Sequence, residues 1–334
     1  MSPYHTKDIA IALLNWNGKN LLEQFLPDVI KFSDDAAIYV IDNYSTDGSV
    51  NYLHENVSGV NIIQLEKNLG YAGGYNEGLK QIKAPIVCCL NTDVAVTPGW
   101  LNPVIESFNS SKDIAIVQPK ILDYKKPDYF EYAGAGGGFI DKYGYPYCRG
   151  RIFDEIEKDL GQYDDKRSIF WASGACFFVK TDFFKELGGF DPDFFAHMEE
   201  IDLCWRCYNK GYTIQYNGQS AVYHVGGSTL SHSNPRKTFL NFRNSLFTLV
   251  KNSPVPLPLI FSRLILDGFA ALRFLFKLQI GHFISVLKAH FSFYRHLRKM
   301  LHKREHLPVK KKDYYQTRSI VWQFFIKKKR IFTT

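Results

Sequence analysis

The stretch Ile86-Val-Cys-Cys-Leu-Asn-Thr-Asp93 decides the fold. Its first five residues are apolar, and the polar residues Asn91, Thr92 and Asp93 follow them directly. A strand that is apolar on both faces is typical of a parallel sheet covered by helices on both sides. Ligands of such sheets bind in the crevice beyond the carboxyl ends of the strands. We therefore expect Asp93 to lie where a metal ion or a phosphate group is bound.

The chain before this stretch alternates between strand-like and helix-like segments. Strand patterns cover residues 9–14, 37–41 and 60–65, and helix patterns cover 21–32 and a segment that begins near Ser49. Polar residues follow the strands. This alternation predicts an α/β fold with a doubly wound, mostly parallel sheet and right-handed crossovers.

The middle of the chain is less regular. We expect strands at 114–117 and 171–179, and two short final strands between 212 and 224. The glycine- and tyrosine-rich segments 134–138 and 143–149 are typical of loops.

The composition fits one large domain with an appendage. The chain has 334 residues, of which 46% are hydrophobic and 16% aromatic. The six cysteines are scattered, mostly in apolar runs, which favours a reduced, cytosolic setting over a disulfide framework. The N-terminus lacks the charged start and long apolar core of a signal peptide, so we expect none.

The charge divides the chain at residue 250. From Lys251 onward there are 18 Lys and Arg against 3 Asp and Glu, whereas the preceding part has 23 against 30. We predict a catalytic domain over 1–250 and a basic, amphipathic helical region over 251–334. If residues 259–300 are helical, charged side chains gather on one side and apolar ones on the other. The charged side carries Arg263, Asp267, Arg273, Lys277, Lys288, Arg295, Arg298 and Lys299.

This C-terminal region predicts peripheral membrane association. A basic amphipathic helix lies in the interface plane and is attracted to anionic lipid. No charge-free run approaches the roughly 18–20 apolar residues that cross a bilayer. The lysine- and arginine-rich segments 310–312 and 327–330 add to the attraction. The alternative is a helix packed on its own catalytic domain, which does not require so uneven a charge.

Three groups of residues could carry chemistry. Asp93 on a rigid strand end suits a hard cation such as Mg²⁺ or Mn²⁺, which shares its shell with substrate phosphates. Glu199, Glu200 and Asp202 crowd on a predicted helix, and their repulsion raises the pKa of at least one, as suits a general base. His224 precedes two glycines that allow a close backbone approach, which favours a metal ligand. The respective alternatives are a solvated turn, an exposed helix face and a structural histidine.

Two other patterns favour structural roles. The glycine cluster between Gly70 and Gly78 is similar to a phosphate cradle, but it follows the third strand, whereas a dinucleotide fingerprint follows the first. Cys204 and Cys207 have zinc-like spacing without a second Cys or His pair nearby, which predicts helix packing.

Seven motifs, in this order, resemble those of the family 2 glycosyltransferases. Within that family the chain is most similar to the rhamnosyltransferase-like branch that builds bacterial surface polysaccharides, where a basic, apolar C-terminal tail is also usual. The resemblance covers residues 8–250. The motifs are Asn-Trp-Asn-Gly (15–18), Val-Ile-Asp-Asn-x-Ser-Thr-Asp-Gly-Ser (40–49), Asn-Leu-Gly-Tyr-Ala-Gly-Gly-x-Asn (68–76), Leu-Asn-Thr-Asp (90–93), Gly-Gly-Phe-Asp (188–191), Glu-Glu-x-Asp-Leu-Cys-x-Arg (199–206) and Tyr-His-x-Gly-Gly (223–227).

The resemblance implies a GT-A nucleotide-diphospho-sugar fold and a donor site. Asn15 and Trp16 would flank the nucleotide base, and Asp42 would hydrogen-bond to the base or ribose. A loop over residues 68–76 would close over the nucleoside. Its donor-binding residues would be Asn68, Gly70, Gly73 and Asn76.

The resemblance also implies a metal site. Asp93 would be the last residue of an Asp-x-Asp-type motif, with Asn91 and Thr92 beside the donor, and His224 would be the second protein ligand. The first position of this motif is Asn91 where the family pattern has Asp.

The base position of the family is occupied by Glu200, where the family pattern has Asp. Glu199 or Asp202 could take over its role. We predict an inverting transfer in which Glu200 takes the proton of an acceptor hydroxyl that attacks the anomeric carbon. A divalent cation, Mg²⁺ or Mn²⁺, neutralises the leaving diphosphate.

The predicted partners are a nucleotide-sugar donor, such as dTDP-rhamnose or a UDP-sugar, and a saccharide acceptor that is lipid-linked. Trp171, Phe194 and Phe195 are candidates for an aromatic floor under the acceptor sugar. The predicted location is the cytoplasmic face of the inner membrane.

Two rival functions are less well supported by the residues. A sugar-phosphate nucleotidyltransferase requires a glycine-rich loop with Arg and Lys after the first strand, which residues 15–18 lack. A non-catalytic basic binder of lipid or nucleic acid is the second, but basicity confined to the tail argues against nucleic acid.

Overall fold

A mixed β-sheet lies at the centre of the molecule, with helices on both of its faces. The computed structural model describes residues 3–226, 234–307 and 310–332. Its strands are β1 (Ile9–Asn15), β2 (Ala37–Asp42), β3 (Val60–Gln64), β4 (Ile86–Asn91), β5 (Val94–Val96), β6 (Ile114–Asp123), β7 (Gly138–Ile140), β8 (Pro146–Cys148), β9 (Arg151–Ile152), β10 (Glu155–Ile156), β11 (Lys166–Ile169), β12 (Cys176–Lys180) and β13 (Thr213–His224).

Nine α-helices are found over the described ranges. They are α1 (Lys19–Phe32), α2 (Ser49–Asn56), α3 (Gly70–Leu79), α4 (Asn102–Ser110), α5 (Thr181–Glu186), α6 (Glu199–Lys210), α7 (Pro235–Asn252), α8 (Pro256–Phe276) and α9 (Ile280–Glu305). The central sheet has the order β11-β13-β6-β12-β4-β1-β2-β3, and β5 pairs with β13.

The first half of the sheet is parallel and confirms the predicted α/β fold. Strand β1 pairs with β2 on one side and with β4 on the other, and β2 pairs with β3. The register sets Asn15 opposite Asp42 and Leu14 opposite Asn91. The polar residues at the carboxyl ends of three strands therefore meet at one edge of the sheet.

Strand β1 shows why both faces are covered. Ile9, Ile11 and Leu13 belong to a core cluster that includes residues of α1, whereas Ala10 and Ala12 belong to the cluster on the other face, with α3. Successive side chains of a strand point to opposite faces, so an apolar run is buried on both. The small alanines leave room for α3 to approach closely.

The predicted loop over 68–76 is wrong, because α3 begins at Gly70. Its glycines are contact points between helix and sheet. A Cβ at Gly74 would lie 2.7 Å from Leu14 Cδ1, and one at Gly78 would overlap the Ile41 side chain. Packing against the sheet therefore overrides the low helix propensity of glycine.

The predicted loops at 134–138 and 143–149 are also wrong in part. Strands β7 and β8 form an antiparallel hairpin from these segments, and β9 and β10 extend it to a four-stranded sheet. Gly138 lies against the Trp171 ring, where a side chain would overlap it. The glycines that suggested loops serve this close approach.

Three strand predictions need smaller corrections. The strand predicted at 171–179 begins only at Cys176, and the one predicted at 114–117 extends to Asp123. The two short strands predicted between 212 and 224 are one strand, β13, whose pairing with β6 shifts between Asn217 and Ala221. The turn residues Asn217-Gly218 mark this irregularity rather than a break.

The C-terminal region is a helical hairpin rather than one helix. Helices α8 and α9 are joined by a turn at 277–279 and pack against each other. Residue 250, where the charge predicts a domain boundary, lies inside α7, and the Tyr314 ring packs 4.8 Å from that of Trp205 in α6. The tail thus packs on the body, while the division into two domains stays a prediction. In the parts of the chain that the structure describes, no helix is both long and apolar enough to cross a membrane.

A buried ionic network joins this tail to the body. Lys251 Nζ in α7 lies 2.6 Å from Asp191 Oδ2 and 2.9 Å from Asp202 Oδ2. Asp202 also accepts a hydrogen bond of 3.0 Å from Arg206 Nε. Lys303 of α9 contacts Asp191 from the other side. Burial alone would raise the pKa of Asp191, but the ammonium groups of Lys251 and Lys303 outweigh it and hold that pKa well below its usual range.

We expect Lys251→Met to destabilise the protein by about 3–5 kcal/mol, because removing one partner leaves buried carboxylates short of positive charge. Lys299→Met is the matched control. Lys299 is more than half exposed and pairs with Asp193, so its loss should change the free energy of unfolding by no more than about 1 kcal/mol. Urea unfolding of both variants measures the difference, and equal effects would contradict a structural role for Lys251.

Candidate active site

The edge where β1, β2 and β4 end carries a pre-formed polar cluster. Asn15 Nδ2 donates to Asp42 Oδ1 at 3.0 Å and to Ser45 Oγ at 3.1 Å, and Ser45 N donates to Asp42 Oδ2 at 3.0 Å. Asn15 and Asp42 are both buried. Their positions are therefore fixed by the strand register and by each other.

One acceptor of this cluster is left over. Asn15 Oδ1 is buried and makes no hydrogen bond to any residue that the structure describes. A Cβ at Gly18 would lie 2.6 Å from it and 3.6 Å from Thr92 Oγ1, so Gly18 keeps the space between these groups open. Trp16 is 49% exposed beside this edge. An unsatisfied buried acceptor at a cleft is a natural partner for a ligand donor.

The segment after β3 is held by Asn43, a residue that the sequence analysis missed. Asn43 Nδ2 donates to Asn68 Oδ1 at 3.1 Å, and Asn43 Oδ1 accepts from Leu69 N at 2.9 Å. Asn68 Oδ1 in turn accepts from Gly70 N at 2.8 Å. Asn43, which follows Asp42 in the chain, therefore holds Asn68 and Gly70 at the same edge of the sheet as Asp42.

The glycine helix α3 divides the predicted donor residues. At its start, Gly70 has a φ of +68° and contacts the Phe195 backbone, where Tyr71 N donates to Phe195 O at 2.9 Å. Further along, Asn76 is bound to Phe190 by both ends of its amide, at 2.7 and 2.9 Å. Gly73 is buried in the helix. Gly73 and Asn76 therefore have structural roles, and we no longer assign them to the donor site.

Asp93 and His224 are brought together from distant parts of the chain. His224 pairs with Val94 in the β5–β13 ladder, and its Nε2 lies 3.1 Å from Asp93 Oδ1. On the other side of the ring, Nδ1 lies 3.4 Å from Glu131 Oε1. Burial alone would lower the pKa of His224, but the carboxylates of Asp93 and Glu131 raise it to about 10.

Glu131 was missed by the sequence analysis. It lies in an irregular segment after β6, and its buried carboxylate accepts from Ala133 N. A Cβ at Gly226 would lie 2.8 Å from Glu131 Oε1, so the glycine after His224 makes room for this carboxylate. Of the paired glycines that suggested a close approach at His224, Gly226 does serve one.

The carboxylates of Glu199 and Glu200 lie at the start of α6. Among the described residues, Oε2 of each is buried without a hydrogen-bond partner. Burial and the charge of Glu200 raise the pKa of Glu199 well above its usual range. Burial raises the pKa of Glu200 to about 7. A carboxyl with a pKa of about 7, like that of Glu200, exchanges protons near neutral pH.

Glu200 is linked to the end of β4. A Cβ at Gly174 would lie 3.8 Å from the Glu200 carboxyl carbon, and Gly174 O accepts from Tyr71 Oη at 2.7 Å. The next residue, Ala175, accepts at its carbonyl from Asn91 N at 2.9 Å. Glu200 thus lies beside Gly174, and the next residue, Ala175, is hydrogen-bonded to Asn91 at the start of the turn that leads to Asp93.

Three predicted site residues belong to the core instead. Asp202 is fully buried, and Arg206, Lys251 and Asn252 occupy its carboxylate. Both of its carboxylate oxygens are bound inside the protein, so the prediction of Asp202 as a base is corrected.

The aromatic floor is corrected in the same way. Trp171 is buried and its Nε1 donates to Phe139 O at 2.7 Å, while Phe194 is buried against Phe247. Neither ring faces a sugar site. Phe195 remains a candidate because it is exposed and has a φ of +65°.

The first turn of α7 adds two cations that were not predicted. The Arg236 guanidinium lies 5.5 Å from the centre of the Phe195 ring. Burial lowers the pKa of Lys237, and the charge of Glu131 partly opposes that shift. The first turn of α7 therefore lies beside Phe195 and Glu131. The segment before it, which includes the second glycine of the Tyr-His-x-Gly-Gly motif, is outside the described residues.

The Asp93–His224 pair fits a divalent cation. Asp93 Oδ1 and His224 Nε2, which are hydrogen-bonded at 3.1 Å, are the oxygen and nitrogen atoms that would hold the ion. Over the described ranges, no cluster of three or more His, Cys, Asp or Glu residues is arranged around a metal position. Few protein ligands are what Mg²⁺ uses when substrate phosphates complete its shell. Binding would require His224 to lose its proton.

The sequence pattern of "Glycosyl transferase family 2" matches residues 10–188. The chain belongs to this family. The predicted family and its rhamnosyltransferase-like branch are confirmed, since a relative that is 25% identical over 222 residues is the N-acetylglucosaminyl-diphospho-decaprenol L-rhamnosyltransferase of Mycobacterium tuberculosis. That match covers 61% of this chain and 71% of the relative.

Two more similarities extend over most of this glycosyltransferase. The low-salt glycan biosynthesis hexosyltransferase Agl10 of Haloferax volcanii is 22% identical over 82% of this chain and 87% of its own. The solved mannosyltransferase PcManGT of Pyrobaculum calidifontis, in complex with GDP-Man and Mn²⁺, superposes with a TM-score of 0.53 at 12% identity. It covers 86% of this chain and 87% of its own, and confirms the predicted GT-A fold.

We expect Gly70→Ala to destabilise this glycosyltransferase by about 1–3 kcal/mol, because its left-handed backbone disfavours any Cβ. The Cβ would also lie 2.6 Å from Phe195 O. Gly268→Ala in α8 is the matched control, since its Cβ would meet open space and alanine favours helix. Urea unfolding measures both, and an equal or smaller loss at Gly70 would contradict this account.

Proposed function

We propose that this glycosyltransferase is an inverting, metal-dependent enzyme that moves a sugar from a nucleotide-diphospho-sugar to an acceptor hydroxyl. The observation that carries the proposal is Glu200, a carboxylate without a hydrogen-bond partner at Oε2 within the described structure, near the turn that holds Asp93. Family membership supports the reaction class. The proposed roles for the cation, the donor and the acceptor rest on the contacts described above.

The donor nucleoside binds at the edge formed by β1 and β2. Asn15 Oδ1 is available to accept from the base, and Trp16 is exposed for stacking. Asp42 is held by Asn15 and Ser45, which leaves lone pairs of its carboxylate for the ribose or base. Asn68, Gly70, Asn91 and Thr92 complete the proposed donor site. Since this constellation is already hydrogen-bonded, little ordering is required when the donor binds.

The proposed metal ligands are Asp93 and His224, with Mg²⁺ or Mn²⁺ as the ion. When bound, the cation neutralises charge on the diphosphate that leaves. Glu131 orients the imidazole, because a carboxylate at Nδ1 keeps the proton there and leaves Nε2 as the ligand atom. The Mn²⁺ in PcManGT supports the choice of ion by analogy.

The proposed base is Glu200. Its ionised carboxylate takes the proton of the acceptor hydroxyl while that oxygen attacks the anomeric carbon on the face opposite the nucleoside diphosphate. The new C–O bond forms as the bond to the diphosphate breaks, which inverts the configuration. Burial and the charge of Glu200 raise the pKa of Glu199 well above its usual range, which favours a neutral Glu199 and so reduces the repulsion between the two side chains.

The proposed acceptor is a lipid-linked saccharide at the cytoplasmic face of the inner membrane. The name of the Mycobacterium tuberculosis relative describes such an acceptor and an L-rhamnosyl donor, which supports dTDP-rhamnose as the first donor to test, with UDP-sugars next. Phe195, under the Arg236 guanidinium, is the proposed contact for the acceptor. The enzyme would then bind to the membrane surface through its basic tail.

We expect Asp93→Asn to weaken Mn²⁺ binding by at least about tenfold, because it removes a charged ligand. The measurement is the electron paramagnetic resonance signal of free Mn²⁺. Asp123→Asn is the control, since that carboxylate ends the neighbouring strand but accepts from the backbone of Lys125 and Lys126. Unchanged Mn²⁺ binding by Asp93→Asn would remove Asp93 from the proposed metal site.

We expect Glu200→Gln to lower kcat by about 10²–10⁴-fold, the usual contribution of a general base. The base must be ionised, and the pKa of Glu200 is raised to about 7. The kcat/KM of the unaltered enzyme should therefore rise about tenfold per pH unit below pH 7 and level off above it. Glu200→Gln should lose this rise, whereas Glu186→Gln, an exposed carboxylate of α5, should keep it. If Glu199→Gln abolishes the rise and Glu200→Gln does not, the assignment of the base is wrong.

A further inference from the structure

The α8–α9 hairpin exposes its apolar side. The most exposed aromatic rings of α8 follow one helical stripe, with Phe261 at 69% and Phe276 at 83%. On α9, Phe291 is 72% exposed. Leu278 in the turn between the helices is exposed as well. The two outward stripes comprise Leu257, Phe261, Ile265, Phe269, Leu272 and Phe276 on α8, and Ile280, Ile284, Leu287, Phe291 and Tyr294 on α9.

The opposite side of α8 is buried and carries the charged residues Arg263 and Asp267 together with Leu259, Ile260 and Ala271. Large apolar side chains exposed on the outward side are unusual for a helix on a water-soluble surface. Arg263 Nε donates to Asp267 Oδ1 at 2.7 Å, and both side chains are buried. The Arg263 guanidinium also lies 3.7 Å from the centre of the Tyr145 ring, and His290 of α9 lies 3.4 Å from Asp267 Oδ2. These contacts fix which side of α8 faces outward.

Basic side chains surround the outward stripes. Arg273, Lys277, Lys288 and Arg295 are all exposed. The Arg273 guanidinium lies 5.1 Å from the centre of the Phe325 ring, so the C-terminal segment Trp322–Ile326 adjoins α8. Trp322 and Ile326 are exposed there. Apolar side chains with aromatic rings and a basic rim match the acyl and headgroup layers of an anionic leaflet.

The turn of the hairpin adjoins the mouth of the proposed active site. Thr238 Oγ1 and His282 Nδ1 are 2.7 Å apart, and a Cβ at Gly281 would lie 3.1 Å from Pro235 Cγ. Pro235 and Thr238 belong to the first turn of α7. That same turn places Arg236 over Phe195. The apolar surface and the cleft are therefore joined by one turn of helix.

We propose that the outward face of α8 and α9, together with Trp322–Ile326, binds an anionic bilayer without crossing it. The apolar stripes enter the outer part of the leaflet, and the basic residues lie at the headgroups. The cleft then opens at the membrane surface. This surface deepens the proposed function, because it is where a lipid-linked acceptor would be met.

Vesicle flotation with the full chain tests the surface. We expect binding to vesicles of phosphatidylcholine with one quarter phosphatidylglycerol, and weaker binding to phosphatidylcholine alone. Phe269→Glu with Phe276→Glu should lower the partition coefficient by at least about tenfold, because two rings leave the leaflet and two negative charges enter it. The control is Tyr129→Glu with Leu160→Glu, which introduces the same charge at exposed side chains in the two segments that pair at Tyr129 and Lys158. It should bind vesicles as the unaltered chain does.

Two outcomes overturn the proposal. One is equal vesicle binding by the Phe269→Glu, Phe276→Glu variant and the unaltered chain. The other is absence of vesicle binding by the unaltered chain. If light scattering then shows that the unaltered chain is a dimer and that the Phe269→Glu, Phe276→Glu variant is a monomer, a second copy of the chain covers this face instead of a membrane. Urea unfolding checks that both double variants keep the stability of the unaltered chain.

A separate measurement isolates the surface from the reaction. Mn²⁺-dependent hydrolysis of dTDP-rhamnose and of UDP-sugars in solution needs no membrane, so the Phe269→Glu, Phe276→Glu variant should retain the hydrolysis rate of the unaltered chain. Vesicle binding without hydrolysis of any donor would count against the proposed function and leave the surface intact. Hydrolysis without vesicle binding would overturn the surface alone.

Discussion

The charge balance around Asp202 is the constraint on which the position of α6 depends. Arg206, Lys251 and Asn252 occupy the Asp202 carboxylate, which fixes α6 against α7. In the same first turn of α6, Glu199 and Glu200 each have a buried oxygen that no described residue binds. Cations and an amide therefore surround the Asp202 carboxylate, whereas each glutamate beside it keeps one oxygen without a partner among the described residues. The contrast separates residues that hold the fold from residues available for chemistry.

At the sheet edge proposed to bind the donor, polar groups are likewise held in place by one another. The parallel register of β1 with β2 and β4 aligns Asn15, Asp42 and Asn91 before any ligand binds. Asn43 adds the segment after β3 to the same edge. Parallel pairing therefore gathers residues separated by tens of positions into one site, and the side chains then fix each other.

The local patterns of the first ninety residues predict the fold well, because each strand is apolar on both faces and is followed by polar residues. The glycine helix α3 was not predicted, because its glycines are required by contacts with Leu14 and Ile41 rather than by local propensity. The role of Asp202 could not be read from sequence either, since its cation Lys251 is 49 residues away. Glu131 escaped notice because it lies in an irregular segment without periodicity. For α8, periodicity gives two faces but does not say which one faces inward; that depends on the partner of Arg263 within the body.

The tie between Thr238 and His282 has a consequence for how the enzyme would search for its acceptor. If the hairpin sits in the leaflet, this contact holds the cleft at a constant height, so the enzyme and its acceptor meet by lateral diffusion in two dimensions. Encounter frequency then depends on the number of acceptors per unit area of membrane, not on their concentration in the surrounding volume. The soluble nucleotide sugar still reaches the enzyme by diffusion in three dimensions. The encounter rate with the donor would then depend on its concentration per volume, whereas the encounter rate with the acceptor would depend on its density per membrane area.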